Sequence, residues 1–595
     1  MPLHKPHHTP HGSSVALTPL NSPTSRDGFK EKDKDPEATY ESGDGDPAET
    51  GSLTQWPETA PQPTESEKVD AKKANLREDG TQYPSGVKLS LIMLAVCLAV
   101  FLMALDNAII ATAIPKITDQ FHSLPDVGWY GSAYLLTASA LQLLFGKFYT
   151  FFSVKWVYLT AIIVFEIGSL ICGVAQNSVT LIVGRAVAGL GSAGLMSGSL
   201  IILAHSVPLA KRPIYSGMIG GLYSVTSVAG PLLGGVLTDK ANLPTQTWRW
   251  CFLINLPIGA VTVLVIAFFY ADPQMARPPA EPFFERLKRF DPLGTAIYMP
   301  AIICLLLALQ WGGTEYPWGN GRIISLFVLF GILILAFLYV QHWQGDNATV
   351  PPRIMRNRSV WTSAFFGFST TAAFFVLVYY LPIWFQAVQG ASAVDSGLRN
   401  LPMLISVVVA AMGAGVAVTL LGYYTPFMIV STVLMSIGAG LLSTFQPATS
   451  RAAWIGYQVI FGFGVGIGMQ QPLIAVQAVL SMADVPTGTA IVVFSQTLGG
   501  SLFVSVGQSV FTNQLVKSLA SYVPSLNPAV VLAAGATNLQ KTLPAGDLAG
   551  VQTAYSEALA KAFLIAVALS AISVVSCALN PWKSVKGKNI EAGVA

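Results

Sequence analysis

The chain has 595 residues, of which 52% are hydrophobic and 11% are charged, and its formal net charge is +3. Its mean hydropathy is +0.55. Water-soluble proteins carry about 25% charged residues, so the composition excludes an ordinary set of soluble domains and indicates a protein that lies mostly in a lipid bilayer. The nearly neutral charge gives no indication of nucleic-acid binding, which needs a concentrated basic face.

Residues 1–88 are predicted to form a disordered cytoplasmic tail. They hold 10 Lys and Arg against 15 Asp and Glu, with almost no periodic apolar residues. Such a segment cannot bury enough apolar surface to offset the entropy lost on ordering. The first apolar run starts near Leu89, too late for a cleavable signal peptide, so we expect it to stay as a membrane anchor.

About fourteen apolar segments long enough to cross a membrane follow in chain order. A spanning helix needs about 20 mostly apolar residues, and such runs cover 89–114, 127–148, 156–174, 179–204, 214–237, 250–270, 292–311, 323–341, 360–386, 397–420, 426–445, 453–475, 488–511 and 557–579. An even number of spans puts both termini on one side. Lys and Arg near the span ends number 18 on that side and nine on the other, and positively charged loops stay inside. Both termini are therefore predicted to be cytoplasmic.

A weak internal repeat divides these spans. Residues 146–150, after the second span, resemble residues 422–425, after the tenth, and the glycine-rich fourth span has a counterpart in the twelfth. Parallel repeats are typical of transporters that rock around a central site. The predicted fold is therefore an all-α integral membrane protein with two six-helix halves and two inserted helices. Its expected parts are an N-terminal half (89–270), a cytoplasmic linker (271–290), the inserted helices (291–345), a C-terminal half (346–582) and a cytoplasmic C-terminal tail (583–595).

Three charged residues, Asp106, Glu166 and Arg185, stand well inside the spans. Charges in the membrane interior are costly and mark functional sites by default, and helix geometry places all three in one layer of the outer half. An adjacent arginine stabilises a carboxylate, whereas burial favours the protonated acid. We therefore expect Asp106 to carry a proton, Arg185 to modulate it, and Glu166 to belong to the same proton-coupling set. The alternatives are a static ion pair between spans one and four and, for Glu166, a protonated structural side chain.

The fifth span contains Gly230, Pro231, Gly234 and Gly235. Glycines four residues apart let helices approach closely, and an internal proline removes a backbone hydrogen bond. A bendable, closely packed helix suits a gating role, which we predict for these four residues. Tight packing without gating is the alternative.

Uncharged polar and aromatic residues in the later spans are candidates for the lining of a substrate cavity: Tyr379, Tyr380, Gln386, Gln470, Gln471 and Gln496. Their lack of charge indicates an apolar or amphipathic substrate rather than a sugar phosphate or a metal ion. For each of them an interhelical hydrogen bond is the alternative role.

Nothing in the sequence predicts an enzyme, a metal site or a cofactor. The segment Gly189–Gly194 matches G-x-G-x-x-G but lies inside a span, without the strand that a dinucleotide fold requires. Walker A, HExxH and GxSxG sequences are absent, and the five cysteines form no CxxC pair. ATP is therefore not the expected source of energy.

Four segments together resemble the fungal fourteen-span drug:proton antiporter branch of the major facilitator superfamily. They are Leu105–Pro115 in span one, Gly184–Gly191 in span four, Gly230–Gly235 in span five and Trp248–Gly259 at span six. The similarity covers roughly residues 88 to 585. It implies proton-coupled export of small toxins, secondary metabolites or drugs, with Arg185 taking part in proton transfer and the Gly-Pro motif of span five marking export.

The loop after span two matches the family only in part. Gly146 and Lys155 agree with its motif, and the resemblance assigns them to gating. Thr150 stands where the family usually has an aspartate, Ala188 where glutamine is usual, and Thr226 where a glycine is common. A conformational lock built on that aspartate is therefore in doubt.

The expected partners are a small-molecule substrate, protons and the lipid bilayer, and a monomer suits the fold. The plasma membrane is the expected location, with the vacuolar or a vesicle membrane as alternatives. Two other functions stay open: a proton-coupled importer of a siderophore or amino acid, which the motif of span five disfavours, and a non-transporting membrane sensor.

Overall fold

The computed structural model describes residues 82–123, 126–239, 248–273, 289–313, 315–528, 530–532, 536, 539 and 544–586. The chain divides into two units, residues 1–64 and 65–595, and all described residues belong to the second. The predicted N-terminal tail up to residue 81, residues 274–288 of the predicted linker and residues 587–595 of the predicted C-terminal tail lie outside the described residues.

Helices cover all of the predicted spans. The first nine helices are α1 Gly86–Phe121, α2 Val127–Phe151, α3 Val154–Val174, α4 Ser178–Ser206, α5 Arg212–Asp239, α6 Trp250–Leu253, α7 Asn255–Phe269, α8 Pro292–Trp311 and α9 Gly321–Gln344. The other nine are α10 Pro352–Met355, α11 Arg358–Ala387, α12 Ala393–Arg399, α13 Leu401–Leu421, α14 Thr425–Leu442, α15 Arg451–Gly468, α16 Gln471–Val479, α17 Val485–Tyr522 and α18 Ala545–Leu579. Three predicted spans are interrupted: α6 and α7 together form the sixth, α12 and α13 meet within the tenth, and α15 and α16 form the twelfth.

Twelve segments among the described residues are helical, long and apolar enough to cross a membrane. Helices α2 and α5, at the second and fifth predicted positions, are not among the twelve. The all-helical membrane fold is thus confirmed, while the number of fourteen spans stays a prediction. On α9, the side chains of Ile332, Leu335 and Leu338 are all more than half exposed, which suits contact with lipid.

Helix packing forms two groups that meet at two places. In the first group α1 packs against α5 and α7, and α4 packs against α2 and α3. In the second, α11 packs against α17 and α18, and α15 packs against α13 and α14. The groups meet where α5 contacts α13 and where α2 contacts α17.

Small residues set the contact between α5 and α13. A Cβ atom at Gly217 would lie 2.5 Å from the carbonyl oxygen of Ala411, and one at Gly415 would lie 2.5 Å from that of Pro213. The two backbones therefore touch only because these positions are glycine.

Asp291 anchors the inserted helices α8 and α9. Its buried carboxylate accepts hydrogen bonds from the Gly294 amide (2.6 Å), Gln341 (2.6 Å), Gln344 (2.5 Å), and both the amide (2.8 Å) and hydroxyl (2.9 Å) of Thr349. It thus caps α8 and holds the end of α9 together with the turn that follows. Lys147 of α2 donates to the carbonyl of Asn347 in that turn, at 3.1 Å, which joins the inserted pair to the first group.

Replacing Asp291 with alanine should destabilise the protein by about 3 kcal/mol or more, because several buried donors lose a charged acceptor. Thermal unfolding of the purified protein in detergent measures this as a lower Tm. Asp346→Ala is the matched control, because Asp346 lies in the same region but its side chain is 77% exposed. An equal Tm for the two variants would contradict the anchoring role.

Candidate functional site

Asp106 and Arg185 form an ion pair inside the bundle. Arg185 Nη1 lies 2.5 Å from Asp106 Oδ2, and both side chains are fully buried. Asp106 comes from α1 and Arg185 from α4, so the pair joins two helices of the first group. The prediction that these residues share one layer of the membrane agrees with this geometry.

Neighbouring helices hold each partner of the ion pair. Arg185 Nε donates to the carbonyl of Tyr130 at 2.8 Å, and the guanidinium lies 4.5 Å from the centre of the Tyr134 ring. That position gives a cation–π contact, which strengthens when water is excluded. Among the described residues, Arg185 Nη2 has no hydrogen-bond partner, so one donor stays free inside the site.

The other oxygen of Asp106 is held from α7. Asn255 Nδ2 donates to Asp106 Oδ1 at 3.3 Å and to Ser169 Oγ of α3 at 3.0 Å. Asn255 is fully buried and is the first residue of α7. The amide therefore fixes the orientation of the carboxylate and links it to α3.

Close helix approach puts the ion pair in place. A Cβ atom at Gly230 of α5 would lie 2.6 Å from Ala108, two residues after Asp106, and one at Gly191 of α4 would lie 2.5 Å from the Phe165 amide nitrogen of α3. Ala188, where the family usually has glutamine, is buried against Gly168 of α3. The glycines of the sequence motifs thus let α4 and α5 pack tightly around the charged pair.

Glu166 lies outside this hydrogen-bond network. Both of its carboxyl oxygens are buried and have no hydrogen-bond partner among the described residues. The carboxyl contacts Gly259 of α7, where any Cβ atom would collide with it. Its predicted part in proton coupling stays a prediction.

The predicted gating residues take different positions. A Cβ atom at Gly146 would lie 2.6 Å from Ala490 of α17, so this glycine sits where the two groups meet. Lys155 donates to the carbonyl of Ala267 at 2.6 Å and joins α3 to α7 within the first group. Gly230 packs against α1 as described above, and Gly234 is buried in α5. Pro231 and Gly235 also belong to α5, and their side-chain surroundings lie outside the described residues.

Thr150 replaces the aspartate expected from the family, and it still bridges the two groups. Its hydroxyl lies 3.2 Å from that of Thr487 at the start of α17 and donates to the carbonyl of Gly146 at 2.9 Å. The contact between the two groups at this position is therefore a pair of hydroxyls and carries no charge.

An ion pair stabilises the loops at the same end of the bundle. Arg353 Nη1 and Nη2 lie 2.8 and 2.9 Å from the two oxygens of Asp484. Burial acts to raise the pKa of Asp484, but hydrogen bonds from Arg353 and Ser481 and the charge of Arg353 outweigh it and lower the pKa. Asp484 therefore stays ionised at neutral pH.

The six predicted cavity residues divide into two sets. Gln470, Gln471 and Gln496 gather at the break between α15 and α16: Gln496 donates to the Met469 carbonyl at 3.2 Å, and the side-chain oxygens of Gln470 and Gln471 have no partner among the described residues. In α11, the Tyr380 hydroxyl donates to the Val504 carbonyl at 2.7 Å, Gln386 donates to Ser396 at 2.8 Å, and Tyr379 is 58% exposed. The first set has free acceptors for a ligand, whereas Tyr380 and Gln386 are engaged within the protein.

Several residues of the site do not stand out in the sequence. Asn255, Ser169 and Tyr130 complete the surroundings of the ion pair, and Asp291 anchors the inserted helices. Asn255 lies within the Trp248–Gly259 motif as a lone amide among apolar residues, and that contrast is the signal that points to it. Within the described ranges, no cluster of three or more His, Cys, Asp or Glu side chains is suited to a metal ion.

Comparison with known proteins agrees with this architecture. A model of the Major Facilitator Superfamily matches residues 96–504. The MFS-type efflux pump MFS1 of Trichophyton rubrum is 59% identical over 527 residues, which cover 88% of this chain and 97% of that protein. The MFS-type transporter astH of Aspergillus oryzae is 54% identical over 513 residues, which cover 86% of this chain and 90% of that protein.

Among solved structures, the proton:xylose symporter XylE bound to 6-bromo-6-deoxy-D-glucose has a similar fold. It is 15% identical, with a TM-score of 0.54 and coverage of 84% of this chain and 97% of that chain. At this level of identity the likeness concerns the fold alone.

Arg185→Gln should destabilise the protein by about 3–5 kcal/mol, because it leaves the buried Asp106 carboxylate without a counter-charge. Adding Asp106→Asn should restore part of that loss. Thermal unfolding of the two single variants and the double variant gives the coupling energy. For comparison, the partly exposed Arg399 pairs with Asp395, and Arg399→Gln should cost less than about 1 kcal/mol. Strictly additive effects of Arg185→Gln and Asp106→Asn would rule out the coupling.

Proposed function

Because the chain belongs to the Major Facilitator Superfamily, we propose that it is an efflux transporter that exchanges small amphipathic organic compounds for protons. Membership in this superfamily makes it a multi-pass membrane transporter of small molecules rather than an enzyme. Export is the direction named for the Trichophyton rubrum relative, and the Gly-Pro motif of α5 is consistent with it.

The fully buried pair of Asp106 and Arg185 carries the proposal of proton coupling. Two opposite charges without water around them are stable only while they remain together. A proton that binds Asp106 removes one of the charges and releases Arg185 from it. Protonation and the position of Arg185 are therefore linked, which is what an antiporter needs to couple a proton to a conformational change.

Other groups around Arg185 would contact it when the ion pair separates. Its Nε stays within reach of the Tyr130 carbonyl, its guanidinium faces Tyr134, and its Nη2 has no present partner among the described residues. Asn255 keeps the carboxyl of Asp106 in place, so the carboxyl returns to the same geometry when it loses the proton.

The contacts between the two groups of helices support alternating access. Gly146 against Ala490, the hydroxyls of Thr150 and Thr487, and Gly415 against Pro213 all lie at the end of the bundle where α1 begins. With the termini in the cytoplasm, as the distribution of Lys and Arg predicts, this end is cytoplasmic. The structure then corresponds to a state closed to the cytoplasm, and opening toward the cytoplasm requires these contacts to separate.

Uncharged groups around the break between α15 and α16 support an amphipathic substrate. The buried side-chain oxygens of Gln470 and Gln471 have no partner among the described residues and are free to accept hydrogen bonds, and Gln470 packs against Gly220 of α5, so it faces the first group. The substrate would lie between the groups, in the plasma membrane or, as alternatives, in the vacuolar or a vesicle membrane. The protein would act as a monomer.

Asp106→Asn should abolish proton-driven export, because asparagine cannot carry the proton. The measurement is accumulation of labelled amphipathic toxins in efflux-deficient yeast that express the protein, with and without a protonophore. The wild-type protein should lower accumulation, and the protonophore should abolish that effect. Asp346→Asn is the control, because its side chain is exposed, and it should export normally. Higher accumulation with the wild-type protein would instead establish import.

Gly146→Val should impair transport at least tenfold, because its side chain would enter the space of Ala490 and prevent closure of the cytoplasmic end. Gly131→Val, on the same helix, is the matched control, since a Cβ atom there meets nothing within 4 Å. Export rates in the same yeast assay, corrected for the amount of protein at the membrane, compare the two. Normal export by Gly146→Val would exclude closure at this contact.

A further inference from the structure

A groove opens on the outer surface of the bundle between α3 and α7. Its volume is about 450 Å³, and its walls include Ile163, Ile167 and Leu170 of α3 together with Leu256 and Leu264 of α7. The side chains of Ile163, Ile167 and Leu264 are about half exposed, as expected for residues that contact lipid. The volume lies within the range of sites for drug-sized ligands.

Glu166 is the one charged residue among the described residues that line this groove. Its carboxyl rests on the backbone of α7 at Gly259, and both of its oxygens are buried without a hydrogen-bond partner among the described residues. An isolated carboxylate in an apolar environment is strongly unfavourable. The side chain is therefore either protonated or paired with a cation that comes from outside the protein.

The helices that pack against the groove supply no such cation. Helix α7 carries no charged residue. On α3, Lys155 lies near the start of the helix and donates a hydrogen bond to the Ala267 carbonyl. On α4, Arg185 is paired with Asp106. Directly beneath the wall of the groove thus lies an acid that no side chain of α3, α4 or α7 neutralises.

The depth of Glu166 restricts what can reach it. It stands 12 residues from the start of α3 and eight from its end, which corresponds to about 18 Å and about 12 Å along the helix. The hydrocarbon core is about 30 Å thick, so the carboxyl lies well below the level of lipid headgroups. A ligand must be soluble in the hydrocarbon region and must carry a positive charge.

We propose that the groove between α3 and α7 is a lateral binding site for lipophilic organic cations that are dissolved in the membrane, with Glu166 as the counter-charge. When such a cation enters, the acid loses its proton to water and the carboxylate pairs with the cation, so the charge of the site stays balanced. This site is separate from the proposed path between the two groups of helices. Binding to it does not depend on the proposed export.

Binding of radiolabelled tetraphenylphosphonium to the full-length protein in lipid nanodiscs tests the proposal. Glu166→Gln keeps the shape of the side chain and removes its charge, and it should weaken binding at least tenfold. Ala260→Trp keeps the carboxyl but fills the groove from an exposed position on its wall, and it should weaken binding to a similar degree. Tetraphenylborate, which has the same shape and the opposite charge, should not compete.

A control variant tests whether the effect is specific to Glu166. Glu557 is also an acid within a long helix, but its carboxyl accepts hydrogen bonds from Ser518 (3.0 Å) and Gln514 (3.4 Å), so Glu557→Gln should bind as the wild type does. Equal affinity of the wild type and Glu166→Gln would overturn the proposal. So would full binding in Ala260→Trp, because the cation would then lie outside the groove.

Discussion

An unpaired charge in the membrane interior costs several kcal/mol, and this cost determines how the first group of helices is built. Asp106 and Arg185 lie 2.5 Å apart with both side chains fully buried, so each charge offsets the other. The Tyr130 carbonyl holds Arg185 in position, and the Asn255 amide holds Asp106. The pair is thus a structural joint between α1 and α4, and it is the place where the proposed proton coupling would act.

Close contacts between helices connect the surroundings of the ion pair to the second group of helices. Hydrophobic attraction does not distinguish one helix from another in lipid, so contacts between backbones and specific hydrogen bonds decide the packing. Gly217 and Gly415 bring α5 against α13, and Gly230 brings α5 against α1 beside Asp106. One helix, α5, therefore contacts both the backbone beside Asp106 and the second group of helices.

Helices α8 and α9, which the sequence predicts to be an inserted pair, are held by one buried side chain. The carboxylate of Asp291 accepts hydrogen bonds from the start of α8, the end of α9 and the turn at Thr349. Lys147 of α2 donates a hydrogen bond to the same turn. The connection reaches the end of α2 that also carries Gly146 and Thr150. The added pair is consequently fixed to the helix whose end contacts the second group, rather than attached loosely at the side of the bundle.

The sequence by itself determined the membrane location, the approximate position of each helix and the superfamily, because hydrophobic runs and glycine motifs are local properties of the chain. It also indicated Asp106 and Arg185, because charges are rare within apolar runs. Only the tertiary structure decided which groups meet. Asn255 of α7 contacts both Asp106 and Ser169 of α3, the hydroxyls of Thr150 and Thr487 lie 3.2 Å apart, and Glu166 lines an outer groove. Such pairings join residues that are 86 to 337 positions apart in the sequence. They depend on the rotation of each helix and on which helices are its neighbours, and hydropathy along the chain contains no information about either.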